Sequence, residues 1–178
     1  MTAGSTGCHL RAGFDAASRI NGPLHTLMAS STTSQGSGVT NLPTEGGRNY
    51  ALEAGFGTKT ITVNGLLAVH DVTSNSFTPG AGYLATTFGA NVRWQMFDWH
   101  GLEPSLVGGP ARMMLLDRNS GDRQWGNALR FGVGLQYTLG PVALYGDVYR
   151  QIVAFNEDTA AAGNTTLDGV TIGIALHP

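Results

Sequence analysis

Apolar and polar residues alternate along most of the chain, and the segment from Gly82 to Met96 shows this pattern most clearly. One alternate series is mostly apolar and includes Leu84, Phe88 and Trp94, whereas the other is small or polar and includes Arg93. Successive side chains of a β-strand point to opposite faces, so the segment predicts a strand with one apolar and one polar face. Its length of about fifteen residues exceeds the five or six typical of strands in soluble domains, and it is long enough to cross a bilayer obliquely.

The same alternation recurs in seven further segments, which gives eight predicted strands and no predicted helix. The predicted strands are His9–Ser18, Arg48–Gly57, Ile61–His70, Gly82–Met96, Leu102–Leu116, Asn127–Thr138, Val142–Phe155 and Leu167–Leu176. In the fifth strand the apolar series changes sides after Gly108-Gly109-Pro110. A one-residue β-bulge at this point would restore the register, and we expect one there.

The predicted connections alternate strictly between long and short. The long ones are Leu24–Gly47, Asp71–Ala81, Asp117–Gly126 and Asn156–Thr165. In an up-and-down antiparallel sheet, this order places the long loops at one end and the short turns, with both termini, at the other. Eight strands close into a barrel that side chains can fill. The predicted fold is therefore an all-β, eight-stranded antiparallel up-and-down barrel, with residues 9–178 as one domain.

The composition favours a barrel that spans a membrane. Charged residues make up 12% of the 178 residues, about half the share usual for a soluble domain, and Lys59 is the only lysine. No apolar run of about eighteen residues predicts a transmembrane helix. A transmembrane barrel instead spreads its apolar surface over alternate residues, as this chain does. The net charge of -2 gives no indication of a nucleic-acid partner.

In its eight alternating strands and one-sided long loops, the chain resembles the small eight-stranded outer-membrane barrels, of which the OmpA transmembrane domain is the best-known type. The resemblance runs from about His9 to Leu176. It implies a location in the outer membrane of a Gram-negative-type bacterium, a structural or interaction role, and no cofactor. It also implies contact with outer-membrane lipid, and partners in the envelope reached through the long loops or the periplasmic end. One departure is the ending Leu176-His177-Pro178, where such barrels usually carry an aromatic residue.

The polar faces of the predicted strands carry seven charged residues. They are Arg11, Asp15, Glu53, Arg93, Glu103, Arg130 and Asp147. Isolated charges in a narrow interior are costly, so these side chains must pair with each other or meet water. We therefore predict an internal network of ion pairs and hydrogen bonds that plugs the barrel. A polar permeation path is the less favoured interpretation, because eight strands leave little room for a channel.

Aromatic residues of the chain are predicted to form a belt at the membrane interface near the short turns. They are Phe14, Phe56, Trp94, Trp99 and Tyr137. Arg150 falls on the apolar face near the loop end, where it could reach lipid phosphates.

Cys8 is the only cysteine, so it has no partner for an internal disulfide. The residues from Ala3 to Cys8 resemble the end of a bacterial lipoprotein signal. This resemblance makes residues 1–8 a candidate remnant of such a signal and Cys8 a candidate for lipidation, with an ordinary thiol as the alternative.

Two other functions remain as alternatives. A soluble lipocalin-like barrel would turn its apolar faces inward around a small hydrophobic ligand, but its outer surface would need many Lys and Glu residues. Lipid-modifying barrel enzymes use a histidine with a serine, sometimes with an aspartate. No histidine here has a serine and a carboxylate at an obvious same-face spacing near the loop end, and His70, with Asp71, Ser74 and Ser76 close in sequence, is the best candidate. We expect His70 instead to be a polar residue at the barrel mouth. No catalytic residue and no metal site is predicted.

Overall fold

The computed structural model describes residues 7–21, 49–73, 82–118, 120–155 and 163–176. Within these ranges eight antiparallel strands form a closed barrel in chain order, and the last strand pairs with the first. The strands are β1 Gly7–Asn21, β2 Tyr50–Gly57, β3 Ile61–Thr73, β4 Gly82–Gln95, β5 Leu102–Asp117, β6 Arg123–Leu139, β7 Val142–Phe155 and β8 Gly163–Leu176. The predicted all-β, eight-stranded barrel is therefore confirmed. No helix among these residues is long and apolar enough to cross a membrane.

The strands are strongly tilted with respect to the barrel axis. The line of paired residues that begins at Cys8 passes from strand to strand around the barrel and returns to β1 at Arg19. The line therefore returns displaced along β1 from Cys8 to Arg19. One residue of this displacement is due to an irregularity between Asp15 and Ala17, where β1 pairs with β8. For eight strands, the remaining displacement corresponds to a tilt of about 40°, so each residue rises about 2.5 Å along the axis.

The alternation along each strand separates the outer wall from the interior. On β6, Val133 is 55% exposed and Leu135 is 52% exposed, whereas Arg130 and Gln136 of the same strand are each 2% exposed. Large hydrophobic side chains are exposed in this way on all eight strands. Soluble monomers rarely expose an apolar patch larger than a few hundred Å², so large hydrophobic side chains exposed on every strand are unusual for a soluble domain.

The bulge predicted in β5 is wrong. β5 pairs with β6 in one register from Leu102 to Leu116, and its pairs with β4 on both sides of Gly108 and Ala111 keep a single register. The side change in the sequence is therefore real: Met113 and Leu115 point into the barrel, and Arg112 points outward. The alternation separates two faces of a strand but does not show which face points into the barrel. In this part of β5 the apolar face points inward, and Met113 and Leu115 belong to an apolar cluster of the interior.

The strict alternation of long and short connections is also wrong at one place. β6 begins at Arg123 rather than Asn127, so only residues 118–122 connect β5 to β6. This connection is no longer than residues 96–101, which join β4 to β5 at the opposite end. The predicted loops Leu24–Gly47 and, for the most part, Asp71–Ala81 and Asn156–Thr165 lie outside the described residues.

Lys59 and Asp98 link two neighbouring short turns, since Lys59 Nζ donates to Asp98 Oδ2 at 2.7 Å. This hydrogen bond raises the pKa of Lys59 above its usual 10.5 and lowers the pKa of Asp98 below its usual 3.8. The contribution of Asp98 is present above pH 3.8 and is lost as the pH falls through its folded pKa. The contribution of Lys59 is present below pH 10.5 and is lost as the pH rises through its folded pKa.

We therefore expect the stability difference between the wild type and Asp98→Asn to be constant between these limits and to shrink outside them. Urea unfolding in detergent micelles over a pH series measures this difference. A difference that widens below pH 3.8 would contradict the assigned link.

Candidate functional site in the barrel interior

A cluster of buried charges occupies the interior near the short turns, with Arg93 at its centre. Arg93 Nη1 and Nη2 donate to the two carboxylate oxygens of Asp147 at 2.9 and 2.6 Å. Nη1 also donates to Ser105 Oγ at 2.9 Å, and Nη2 lies 3.6 Å from Glu53 Oε2. Glu53 accepts a further hydrogen bond from Asn91 at 3.3 Å. Such a two-pronged contact between guanidinium and carboxylate is the strongest form of the ion pair.

Arg11 extends this cluster towards the short turns. Its Nη1 lies 3.9 Å from Asp147 Oδ2, its guanidinium carbon lies 4.6 Å from the centre of the Tyr145 ring, and its Nη2 donates to Gln136 Oε1. Gln136 in turn donates to Glu103 Oε2 at 3.0 Å. Four charged residues from four strands, together with Glu103 reached through Gln136, therefore form one continuous network across the interior.

Gly134 makes room for the Arg93–Asp147 pair. Its backbone faces inward on β6, and a Cβ atom at this position would overlap Asp147 Oδ1 and crowd Arg93 Nη1 and Ser105 Oγ. Only glycine leaves this space without moving the ion pair. The side chains of Arg93 and Asp147 therefore explain why the inward-facing series of β6 has a glycine at position 134.

A second polar cluster lies further from the short turns, around the carboxylate of Asp15. Asp15 accepts hydrogen bonds from Tyr149 Oη at 2.5 Å and from Thr171 Oγ1, and His70 Nδ1 lies 3.2 Å from Asp15 Oδ2. The guanidinium carbon of Arg130 lies 3.8 Å from the centre of the Tyr149 ring. Tyr149 therefore joins an acidic and a basic residue that do not touch each other.

Tyr149→Phe tests how much this second cluster contributes. The change removes one hydrogen bond to a buried carboxylate and leaves the ring that packs against Arg130. We expect the free energy of unfolding in micelles to fall by about 1.5–3 kcal/mol. Tyr137→Phe, on the exposed outer wall, is the matched control and should change the stability by less than about 0.5 kcal/mol. Equal effects of the two changes would rule out the hydrogen-bonding role of Tyr149.

The interior near the loop end is largely apolar. Its buried hydrophobic residues are Ala85, Met113, Leu115, Ala128, Tyr149, Val153, Phe155 and Leu167, and the polar Thr87, Gln151 and Thr165 are buried beside them. Leu115 is 1% exposed and Val153 is fully buried, so this layer is closed to solvent. Tyr149 belongs both to this layer and to the cluster around Asp15, which places the apolar layer directly against the charged one.

The predicted interior residues fall into these two groups. Arg11, Glu53, Arg93 and Asp147 meet in the first cluster, with Glu103 attached to it, and Asp15 and Arg130 meet at Tyr149 in the second. All seven side chains are buried. The expectation that His70 lies at the barrel mouth is wrong, because the His70 side chain is 2% exposed and contacts Asp15 in the barrel interior.

Several uncharged residues of the site were not among those predicted. Tyr149 and Gln136 each join two charged residues, whereas Tyr145 contacts Arg11 and Thr171 contacts Asp15. The alternation alone places Tyr145 and Tyr149 on the same face as Asp147, so their inward direction could have been inferred. Their partners could not, because Tyr149 and Asp15 are 134 positions apart in the chain.

The ion pairs and hydrogen bonds of the two clusters join strands across the interior. Among the described residues, no group of three His, Cys, Asp or Glu side chains could hold a metal ion. His70 and Asp15 lie side by side, but Ser74 and Ser76, the serines closest to His70 in the sequence, lie outside the described residues.

Comparison with known proteins gives matches in structure but none in sequence. No protein-family model matches the chain, and no curated protein matches it. The structure of Neisserial surface protein A (NspA) is similar, with a TM-score of 0.67 at 12% identity over 98% of both chains. The N-terminal β-barrel domain of Pseudomonas aeruginosa OprF matches with a TM-score of 0.53 at 13% identity, over 98% of this chain and 100% of that one.

A third similar structure is the Ail protein of Yersinia pestis in complex with the heparin analogue sucrose octasulfate. It has a TM-score of 0.51 at 12% identity, over 99% of this chain and 100% of that one. Identities this low establish the fold and nothing finer. The chain has the fold of the small eight-stranded outer-membrane barrels.

In this outer-membrane barrel fold, four of the five predicted belt aromatics lie near the short turns. Phe56, Trp94, Trp99 and Tyr137 are within a few residues of the β2–β3, β4–β5 and β6–β7 turns, and each is more than 40% exposed. Phe14 is exposed as well, but its position differs from the expectation. It pairs with Tyr50 at the far end of β2, whereas Cys8 pairs with Phe56, so Phe14 lies near mid-height of the barrel wall.

Cys8 is part of the barrel wall. β1 begins at Gly7, and Cys8 pairs in register with Phe56 and exposes its side chain. Cys8 is thus the second residue of the first strand, at the short-turn end.

Proposed function

We propose that the chain is an outer-membrane barrel with a structural or interaction role, built as a closed cylinder that spans the bilayer and presents its longer connections at one end. The observation that carries this proposal is the combination of an exposed apolar wall with buried, paired charges. A lipocalin-like barrel requires the opposite arrangement, with apolar side chains inside around a ligand. The proposed surroundings of the wall are outer-membrane lipid.

The dimensions of the wall support this proposal. The apolar side chains of β5 and β6 extend from the level of Leu102 and Tyr137 to that of Pro110 and Leu129. Eight residues along a strand tilted by about 40° span about 20 Å, and the neighbouring strands extend the band in both directions. Outer-membrane barrels carry an outward apolar band of about 25 Å with aromatic residues at its edges.

The packing of the interior supports a barrel that conducts no solute. The charged network occupies the lower half, and the apolar layer of Met113, Leu115, Val153, Phe155 and Leu167 lies above it. An aqueous path would have to break the ion pairs and also hydrate a largely apolar layer. We therefore propose that the charge network is a plug with a structural purpose, and that any recognition takes place at the connections beyond the wall.

Three measurements on the refolded protein test the proposal. We expect the folded chain to require detergent or lipid, to migrate faster on a gel before boiling than after, and to add no stable conductance steps to a planar bilayer. Full solubility without detergent would refute the membrane assignment. Insertion accompanied by steady single-channel currents would leave the membrane assignment intact and refute the closed interior.

A further inference from the structure

Arg112 is an exposed cation on the outer wall of the barrel. It lies on β5, where its register neighbours are Phe88 on β4 and Asn127 on β6, both uncharged. Its outward direction follows from the unbroken register of β5 described above. A guanidinium in this position must be close to polar surroundings, because an arginine on the lipid-facing wall costs about 2–4 kcal/mol at the bilayer centre but about 0–1 kcal/mol at the interface.

Arg112 lies about 25 Å from the short-turn rim, and only Met114 and Leu116 of the outward-facing apolar series of β5 lie beyond it. Arg112 is ten residues beyond Leu102, which lies at the short-turn rim and pairs with Tyr137. Ten residues of a strand tilted by about 40° rise about 25 Å, the thickness of the apolar band of such barrels. If the short turns lie at one membrane surface, Arg112 lies at the headgroups of the opposite leaflet.

Arg112 and Arg150, both exposed on the outer wall, differ in their partners. Arg150 donates to both oxygens of Asp168, from Nε at 2.6 Å and from Nη2 at 2.8 Å, so its hydrogen-bonding edge is occupied. Among the described residues, no carboxylate lies within 4.0 Å of Arg112. The arginine that the sequence suggested for lipid phosphates, Arg150, is therefore the one whose charge is already balanced.

Aromatic side chains hold Arg112 in place. Its guanidinium carbon lies 4.9 Å from the centre of the Trp125 ring, and the Trp125 ring lies 5.6 Å from the ring of Phe88. A guanidinium that lies on a ring is desolvated on one side, yet its N–H groups point along its edges and can bind two oxygens at once. Phosphate oxygens match this geometry.

We propose that Arg112, supported by Trp125 and Phe88, binds the phosphate of an anionic lipid headgroup in the leaflet at the loop end. This inference rests on the proposed membrane location. The occupant follows from charge complementarity and from height: an uncompensated cation stands where a bilayer presents its phosphates, and the apolar residues below it contact the acyl chains of the same lipid.

Fluorescence quenching of Trp125 provides the test. With Trp94 and Trp99 replaced by phenylalanine, Trp125 is the only tryptophan. The protein is refolded into phosphatidylcholine vesicles in which a small fraction of either phosphatidylglycerol or phosphatidylcholine carries brominated acyl chains. We expect the anionic lipid to be preferred at this site by about fivefold. The preference should disappear in Arg112→Gln, be reduced in Arg112→Lys, and persist in the matched control Arg150→Gln.

The outcomes separate this inference from the proposal on which it rests. Wild-type protein that fails to insert into vesicles refutes both. Insertion with equal quenching by the two lipids, or a preference that survives in Arg112→Gln and Arg112→Lys, refutes only the lipid site. Inorganic phosphate is added to the same vesicles as a further arm. Loss of the preference at millimolar phosphate, in place of the resistance we expect, would show that the site binds free phosphate.

Discussion

Asp147→Asn is expected to lower the free energy of unfolding by about 3–5 kcal/mol, the largest single effect that the structure indicates. Asp147 is 2% exposed, accepts two hydrogen bonds from Arg93 and lies 3.9 Å from Arg11. Its neutralisation leaves two buried guanidinium groups with Glu53 as the remaining carboxylate of the cluster. The cost is that of an uncompensated buried charge, which exceeds the net contribution of an intact pair.

The control for this prediction is Asp98→Asn in the exposed link between the short turns. It removes the same chemical group from an ion pair of similar length, 2.7 Å, but in solvent. Exposed pairs contribute little, so the change should be much smaller than that of Asp147→Asn. Urea unfolding of both variants in micelles, followed by tryptophan fluorescence, gives the comparison. Similar losses in the two variants would mean that the interior is hydrated and the network is not buried in solution.

Val133→Arg is expected to cost about 2–4 kcal/mol and to reduce insertion into vesicles. Val133 is 55% exposed and lies near mid-height on the outer wall. On a soluble protein, a charge at such an exposed position would change the stability by about 0.5 kcal/mol or less. In a bilayer the same guanidinium must be placed in hydrocarbon, so this one substitution separates the two surroundings.

Leu139→Arg is the matched control, because Leu139 is also 55% exposed and is the last residue of the same strand. At the short-turn rim the added arginine reaches water and headgroups, and the expected cost is about 0–1 kcal/mol. Urea unfolding in phosphatidylcholine vesicles measures both variants. The prediction fails if Val133→Arg and Leu139→Arg lose the same stability.

The alternation of residues predicts the eight strands because it is a local consequence of strand geometry. Trp94 and Arg93 could be assigned to opposite faces from their neighbours alone. The ends of strands are less predictable, since β6 starts at Arg123, in a charged segment whose side chains extend beyond the apolar band. In this segment the backbone hydrogen bonds between β5 and β6 continue to Arg123, although the alternation of apolar residues has already ended.

The contents of the interior are only partly predictable from the sequence. The charges in the polar series had to be inside if the apolar series faced lipid, so Arg93 and Asp147 could be identified without their partners. The apolar layer could not be predicted, because Met113 and Leu115 resemble lipid-facing residues. Nor could the role of Tyr149, which depends on contacts between strands at opposite ends of the chain. The outward direction of Arg112 could not be predicted for the same reason, since the expected bulge would have placed its side chain inside the barrel.

The most direct test of the outward apolar wall is the accessibility of spin labels on its outer surface. Single cysteines replace Val133, Val148 and Ile172, which are exposed near mid-height on β6, β7 and β8, in a Cys8→Ser background. Each is labelled with a nitroxide after the protein has been refolded into vesicles. We predict that all three labels collide frequently with oxygen, which concentrates in hydrocarbon, and rarely with a water-soluble nickel complex. Frequent collisions with the nickel complex at these positions would contradict the account.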